Sequence, residues 1–383
     1  MVLQSNYAKR IVSNAENTPP SVLPTKSVAS RFRSNLHDGR RRRQRTSGSS
    51  NPAKFIAEQA ARRGRKPASL RFKMKSIPSP DVEMSDSTLT PPPTNTVPVM
   101  LPKELGRPEY VEVQRAALLA ADPGLDNETP LSYIRDNLNA YGPQLLKTLS
   151  TVRASTASDA LPKEIDITVD DITSALPSHM VAIFGPAPRP SASVPHPKRK
   201  VTLYPVHSLY LAAHCARLPH FPPTPTESPA VTPGSTSVTY NVPVRPLCLP
   251  SPMSYPRLSQ YIYTKRSDTL LASLLPTLPT PPPASLLHVT VPEEEGTDSA
   301  PAFSKTESLA DFTIFAHALA QTYTPQALLQ HVSVVHGLWQ NVCALGIFDD
   351  ALWEVIDRAW RVLLCAISVG TGGTIGDVLN DAA

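Results

Sequence analysis

Three amphipathic stretches between residues 306 and 370 constrain the fold of this chain more than any other feature of its sequence. In each stretch, large apolar residues recur at spacings of three and four, which is the pattern of an α-helix with one buried face. The stripes are Leu309, Phe312, Ala316, Leu319 and Tyr323, then Leu328, Val332, Val335, Trp339 and Val342, and then Leu352, Ile356, Ala359, Leu363 and Ile367. We predict a helical C-terminal region over residues 306–370, with Trp339 in its buried seam.

Residues with the properties of helix caps separate these stripes. Thr324 followed by Pro325 is typical of an N-cap and the first helical position, and Asp349 is a second candidate N-cap. Gly346 and Gly370 occur where the second and third stripes end, as glycines at helix C-termini do. The loop that starts at Gly346 is short, so the second and third helices are predicted to pack as an antiparallel hairpin that needs a further surface to cover it.

The middle of the chain combines helical and strand patterns. A helical segment is predicted over residues 101–155 and a mixed α/β module over residues 160–275. A proline-rich acidic linker over residues 276–305 and a flexible tail over residues 371–383 complete the organisation. The predicted class is therefore α+β, with the mixed module followed by the C-terminal helical hairpin.

Glycine and proline set the predicted ends of several elements in this middle part. Gly142 is predicted to end one helix and Pro143 to begin another. Pro205 is predicted to stop a strand that starts a few residues earlier. Two short strands are predicted over residues 238–242 and 244–249.

The first hundred residues differ from the rest in composition. Residues 1–75 hold 18 Lys and Arg against 3 Asp and Glu, whereas residues 76–383 hold 19 against 29, so the net charge of +5 is the sum of +15 and −10. Ser, Pro and Arg are frequent and large apolar residues are few, so residues 1–100 are predicted to form a long disordered basic arm. Such an arm suits an acidic partner, such as nucleic acid, or an import receptor.

Clusters of Lys and Arg are typical of nuclear-import signals, with a solvated charged arm and direct DNA binding as the alternatives. The candidates are Arg40, Arg41, Arg42, Arg43, Arg45, Arg62, Arg63, Arg65 and Lys66, followed by Lys198, Arg199 and Lys200. A further basic cluster of the arm consists of Arg71, Lys73 and Lys75. The run from Arg63 to Pro67 resembles the AT-hook of minor-groove binders, but Lys66 interrupts its Arg-Gly-Arg-Pro core. We predict a nuclear location, with the cytoplasm as the alternative, and weak nucleic-acid contact by the arm.

Ser-Pro and Thr-Pro pairs lie in the predicted loops and linkers, where a proline-directed kinase could reach them. The candidate phosphorylation sites are Thr18, Ser79, Thr90, Thr224, Ser228, Thr232 and Thr280. Each phosphate would add about −1.5 to −2 charges. The alternative is chance, because 43 prolines make the chain about twice as rich in proline as usual.

No residue set in the sequence is a persuasive catalytic or metal site. The nearest approach to a metal set is His207, His214, Cys215 and His220. On one helix His207 and His214 would lie about 10 Å apart, which is too far for two ligands of a single zinc ion. Neither Gly-x-Ser-x-Gly nor a glycine-rich phosphate loop occurs. We therefore predict a non-enzymatic protein with no metal and no cofactor.

The four cysteines and the hydropathy of the chain bear on its compartment. The cysteines are far apart in sequence with no Cys-x-x-Cys pair, and no signal-peptide core follows Met1, so reduced thiols in an intracellular protein are expected. No stretch approaches a run of about 18 apolar residues, so we predict no transmembrane helix.

Three longer stretches carry a family resemblance. They are Tyr204 to Cys215 (YPVHSLYLAAHC), Val244 to Pro252 (VRPLCLPSP) and Val335 to Asp349 (VHGLWQNVCALGIFD). These stretches resemble the clampless family of basidiomycete fungi, and the resemblance covers roughly residues 160 to 370.

The resemblance implies a role after mating, downstream of the homeodomain mating-type factors, in clamp-cell formation and growth of the dikaryon. It implies a nuclear regulator that binds other proteins, with mating-type transcription factors as expected partners. Members of the family have no established enzymatic activity, so the resemblance supplies no catalytic residues.

A looser likeness concerns the mixed module. A strand, the helix with His-Ser-Leu-Tyr-Leu-Ala-Ala from His207, further strands and a helix containing Tyr261 to Thr264 are similar in order to a BTB dimerisation domain. The proline-rich insertion from Pro219 to Gly234 departs from that pattern. The oligomeric state is therefore left open.

Overall fold

A computed structural model of the chain describes residues 68–75, 96–155, 160–187, 199–221, 237–278 and 305–379. Within these residues the chain forms seven strands and nine α-helices. The predicted α+β class is confirmed. In the same residues, no helix combines the length and the apolarity needed to cross a membrane.

Two sheets contain all the strands of the described residues. Strands β1 (Ser69–Lys75) and β2 (Thr96–Pro102) pair antiparallel in a two-stranded sheet. The larger sheet consists of β3 (Val152–Ala154), β4 (Glu164–Val169), β5 (His179–Phe184), β6 (Thr202–Val206) and β7 (Val238–Cys248). Its strand order is β3-β4-β7-β5-β6, and β5 and β7 are its parallel pair.

The helices fall into two groups along the chain. The first group is α1 (Arg115–Ala121), α2 (Leu131–Ser150), α3 (Ser208–His214), α4 (Tyr255–Thr264) and α5 (Ser267–Leu274), with a 3-10 turn at Pro252–Ser254 before α4. The second is α6 (Lys305–Thr322), α7 (Pro325–Leu345), α8 (Asp350–Gly370) and α9 (Gly376–Leu379).

The large sheet separates a main core from a smaller one. Val181, Ile183 and Leu247 point from one face into the main core, which all the helices share. Alternate residues of the same strands, such as Met180 and Val242, form a second buried cluster on the opposite face together with Ile167 of β4. The alternation follows from the two-residue period of a strand.

Helix α8 contributes more buried residues than any other described element. Thirteen of its residues are buried, and it packs against α5, α6, α7 and α9. Trp353 and Trp360 are fully buried in this helix. The surface that covers the predicted helical hairpin is therefore supplied by the same chain, chiefly by α6 and α5.

The predicted caps and the predicted seam of this region have different outcomes. Thr324 and Asp349 both accept a hydrogen bond from the backbone of the helix that follows, and Gly346 has φ +65°, as a left-handed C-cap requires. Trp339, however, is only half-buried, and Leu338 occupies the seam beside Val335 and Val342. The prediction for Trp339 was wrong because a stripe that steps by three from 335 reaches 338 just as well as one that steps by four reaches 339.

Three predicted breaks in the middle of the chain do not occur. Helix α2 continues through Gly142 and Pro143. Gly142 is explained by the close approach of α4, since a Cβ there would lie 1.9 Å from the Tyr263 carbonyl oxygen. Pro205 lies within β6, which is an edge strand of this sheet and can accommodate a residue without an N–H. Strand β7 runs through Pro243, where its pairing changes from β4 to β5.

Residues 102–110, which we call the strap, hold the small sheet against the C-terminal helices. The indole Nε1 of Trp360 donates a hydrogen bond to the Pro102 carbonyl at 3.1 Å, and that of Trp339 donates to the Gly106 carbonyl at 2.7 Å. Arg107 forms an ion pair of 3.1 Å with Asp357 and lies over the ring of Trp353.

Two of the predicted boundaries require correction. Residues 69–75 and 96–100, predicted to belong to the disordered arm, form β1 and most of β2, and Phe72 and Met74 lie in the main core. Residues 376–379, predicted to belong to a flexible tail, form α9, in which Val378 is buried. The arm before residue 68, and most of the segment predicted as a linker over 276–305, lie outside the described residues.

Candidate functional site

A network of buried and partly buried polar side chains lies where α3, α4 and the start of α8 meet. His207, directly before α3, has its Nε2 3.0 Å from the Ala175 carbonyl, which can only accept, so Nε2 carries the proton. Its Nδ1 then accepts from the Tyr263 hydroxyl at 3.2 Å, and this hydroxyl in turn accepts from the His207 backbone N–H at 3.1 Å. Burial lowers the pKa of His207 to about 4, so the imidazole is neutral.

Lys265 and Asp349 form the charged part of the network. The Lys265 ammonium is 2.9 Å from one Asp349 oxygen, and the other oxygen accepts from the Tyr261 hydroxyl at 3.1 Å and from the Leu352 N–H at 3.2 Å. Burial acts to raise the pKa of Asp349, but the charge of Lys265 and these hydrogen bonds outweigh it, so the pKa is lowered. Asp349 is therefore both the N-cap of α8 and the partner of the residue that ends α4.

His214 and Cys215 lie beside this pair at the end of α3. His214 Nδ1 is 3.3 Å from the Lys265 ammonium, which can only donate, so this nitrogen accepts. Burial and the nearby charges of Lys265 and Arg135 hold the pKa of His214 well below its usual value. Burial raises the pKa of the Cys215 thiol to about 12 in spite of these two cations.

These protonation states limit what the network can do chemically. A neutral His207 already donates to a backbone carbonyl, and a thiol that stays protonated is a poor nucleophile. Among the residues that the structure describes, no three His, Cys, Asp or Glu side chains are grouped so that they could hold a metal ion. The geometry suits a structural function, which is to fix α4 and α8 relative to α3.

The β1–β2 sheet presents a different kind of surface. Leu70, Phe72 and Met74 face the main core, whereas Arg71 and Lys73 alternate with them and are exposed. The cross-strand partner of Arg71 is Met100, which is 57% exposed, and Lys73 is opposite Pro98, which is also exposed. We call Arg71, Lys73, Pro98 and Met100 the cationic face of this sheet.

The hydrogen-bond pattern of this sheet determines which backbone groups point outward. Lys103 N–H donates to the Ala68 carbonyl, so residues 68 and 103 form a hydrogen-bonded pair of the antiparallel ladder. Because such pairs alternate with non-bonded ones, the backbone groups of Ser69, Arg71 and Lys73 point away from β2. No backbone bond from another described residue reaches them.

The residues predicted from sequence as functional sites are mostly outside the described residues. These are the import candidates from Arg40 to Lys66, Lys198, and the candidate phosphorylation sites at Thr18, Ser79, Thr90, Thr224, Ser228, Thr232 and Thr280. Arg199 and Lys200 are exposed just before β6, and the Arg199 guanidinium lies 5.8 Å from the centre of the Phe184 ring. The predictions for all these residues stay predictions.

The cationic face was missed at the sequence level although its signal is present. Leu-Arg-Phe-Lys-Met from residue 70 alternates apolar and basic residues, which is the pattern of a half-buried strand. The prediction that Arg71, Lys73 and Lys75 belong to the arm depends on their charge alone and ignores the apolar residues that alternate with them.

Comparison with protein families gives two matches. The chain matches the N-terminal domain of clampless protein 1 over residues 108–250 and the C-terminal domain of clampless protein 1 over residues 268–381. Together the matches cover about two thirds of the chain. No curated protein and no solved structure matches it. The β1–β2 sheet precedes both matched regions, and α4 lies between them.

Proposed function

Because this chain belongs to the clampless protein 1 family, whose domains point to a role in clamp formation, we propose that it is a non-enzymatic nuclear regulator of fungal sexual development. It acts after mating, in clamp-cell formation and dikaryotic growth, by binding other proteins. Mating-type transcription factors are the proposed partners.

The cationic face is the observation that carries the binding proposal. Arg71 and Lys73 are exposed beside Met100, so a partner can combine ion pairs with apolar contact on one small surface. Methionine suits such a surface because its side chain adapts to irregular neighbours. By contrast, His207 and Asp349, which could otherwise serve in catalysis, are occupied by contacts inside the fold.

The basic arm extends the positive charge of this face. The clusters from Arg40 to Lys66 precede β1 in the chain, and residues 1–75 carry a net charge of +15. Charge of this kind accelerates association with an acidic partner more than it prolongs the complex. The same clusters serve as the proposed nuclear-import signals, with Lys198 to Lys200 as a third.

The binding proposal is tested by charge reversal in a strain that lacks the protein. Arg71→Glu with Lys73→Glu should abolish clamp formation at normal protein level and unchanged melting temperature. Lys163→Glu with Arg361→Glu is the matched control, because both of these cations are exposed elsewhere on the fold. Equal numbers of clamps in the two variants would show that the cationic face is not the binding surface.

The nuclear part of the proposal has its own test. Alanine replacement of the three clusters at 40–45, 62–66 and 198–200 should leave a tagged protein in the cytoplasm. A triple variant that stays as nuclear as the wild type would mean that the arm has another purpose.

A direct DNA-binding regulator is the second candidate, and the net charge of the arm favours it. Binding that neutralises DNA phosphates weakens steeply as salt rises, because condensed counterions are released. A partner interaction that disappears on nuclease treatment, with a steep salt dependence, would support this candidate over protein binding.

A further inference from the structure

We infer that the outer edge of β1 binds an extended segment of an acidic partner protein by β-strand addition. The inference rests on the proposed protein-binding function and specifies the form of the partner. The segment would alternate acidic and apolar residues and would pair with the backbone of Ser69, Arg71 and Lys73.

The first support is the open edge itself. The outward N–H and C=O groups of these three residues are a row of donors and acceptors to which no other described residue bonds. A row of this kind is a template for another strand, and peptide recognition by strand addition uses such edges.

The opposite edge of the same sheet is much less suitable. On β2, the positions that point outward are Pro98, Met100 and Pro102, and the two prolines have no N–H. Proline on an edge strand prevents further pairing. Within the part of the chain that the structure describes, the small sheet therefore has an unpaired edge on the β1 side, whereas its β2 edge is blocked by proline.

Side chains on the two faces of β1 define the chemistry of the segment. A strand added to β1 would place every second side chain next to Arg71 and Lys73, where Asp or Glu would form cross-strand ion pairs. The intervening side chains would lie on the same face of the sheet as Phe72 and Met74, which are buried in the main core, so apolar residues fit there. An alternating acidic and apolar pattern satisfies both faces.

The small sheet is also anchored to the rest of the fold, which favours binding. The strap continues directly from β2, and its bonds from Trp360 to Pro102 and from Arg107 to Asp357 tie the sheet to α8. A partner strand would therefore not have to order its template, and the entropic cost of association would be smaller.

A protein segment fits these features better than nucleic acid does. Phosphates could pair with Arg71 and Lys73, but they would not provide the row of backbone acceptors and donors that the outward groups of β1 match. Only a polypeptide backbone offers donors and acceptors at the spacing of a strand.

The test measures peptide binding to the full-length chain by fluorescence anisotropy. The probe is a labelled peptide of alternating Glu and Val, and the two control peptides have the same composition in separate Glu and Val blocks, or N-methyl groups on alternate residues. We expect the alternating peptide to bind at least about tenfold more tightly than either control. Equal affinity of the alternating and block peptides would overturn strand addition.

Two further measurements locate the binding. In hydrogen exchange, the amides of Ser69, Arg71 and Lys73 should become protected by the alternating peptide, and unchanged exchange there would overturn the inference. Ser69→Pro removes one outward N–H without changing charge and should weaken binding by about tenfold. If this variant melts early, the exchange measurement on the wild type still decides.

Failure of this inference can be distinguished from failure of the proposed function. If charge reversal at Arg71 and Lys73 abolishes clamps but the alternating peptide has no advantage, the face binds a partner without strand addition. If charge reversal leaves clamp formation intact, the proposed binding surface fails whatever the peptides do.

Discussion

Mild acid should destabilise this protein, because two buried histidines must stay neutral in the folded state. His207 has the pKa of its imidazole lowered to about 4 from an ordinary value of 6.5, and His214 also has a lowered pKa. Below pH 6.5 the unfolded chain takes up protons on these residues and the folded chain does not. The stability that depends on the neutral histidines is therefore fully present above pH 6.5, and it is lost as pH falls from 6.5 towards the lowered pKa values of the folded state.

The magnitude follows from the two pKa values of His207. Each unit of pH between them changes the free energy of unfolding by about 1.4 kcal/mol. At pH 5 the loss from His207 is therefore about 2 kcal/mol, and it reaches roughly 3 kcal/mol near pH 4. His214 adds a loss in the same direction. The pKa of Asp349 is lowered, so this carboxylate adds a further loss of stability only when pH falls to the ordinary pKa range of a carboxylate and below.

The assay is urea unfolding at a series of pH values from 7.5 to 4.5 for the wild type and for His207→Gln. The glutamine amide can still donate to the Ala175 carbonyl, but it does not titrate. The variant should lose stability at every pH, yet its decline between pH 7.5 and 5 should be about 2 kcal/mol smaller than that of the wild type. A direct check is the NMR titration of His207, which should show no protonation above about pH 5.

Parallel stability curves for the two proteins would refute this reasoning. They would mean that His207 is protonated equally in both states, and that its contacts with Ala175 and Tyr263 do not require a neutral ring. If His207→Gln does not fold, a wild-type His207 signal that titrates near pH 6.5 would refute it instead.

Three other predictions concern packing, charge and thiol reactivity. Gly142→Ala should lower stability by about 1–3 kcal/mol or more, because its Cβ would meet the Tyr263 carbonyl, and thermal unfolding measures this. Asp349→Ala should lower the free energy of unfolding by about 3 kcal/mol, which is at the lower end for a buried ion pair because a fifth of the Asp349 side chain is exposed. In a double-mutant cycle with Lys265→Met, the two losses of stability should be less than additive. Cys248 is exposed and should be the first of the four thiols to react with a thiol reagent in the native protein, and Cys248→Ser should remove that fast phase.

Sequence patterns predicted the C-terminal region well because its residues bury one face and carry their own caps. Thr324 and Asp349 act through hydrogen bonds to residues only three positions away, so their function is visible in a short window of sequence. The sequence does not determine which residues of the α7 stripe face the core. Whether position 338 or 339 faces inward depends on how α7 packs against other elements, which local spacing does not contain.

The failures in the middle of the chain have the same origin. Gly142 has the properties of a helix end, but glycine is needed here because α4, which is far away in sequence, approaches too closely for a side chain. Pro243 would interrupt a strand with one partner throughout, but β7 changes partner at this residue. The buried network could not be predicted either, since Lys265 and Asp349 are 84 positions apart.

The position of α8 near the end of the described chain has a consequence during synthesis on the ribosome. The thirteen buried residues of α8 belong to the same core as Phe72 of β1. Strand β1 is synthesised early, so its core is complete only after α8 has been synthesised. At about 5–20 residues per second, the interval between residue 72 and α8 is roughly 15–60 s. Until α8 is made, the apolar sides of α5, α6 and α7 that pack against it lack this covering, and the nascent chain should depend on chaperones until α8 has left the exit tunnel.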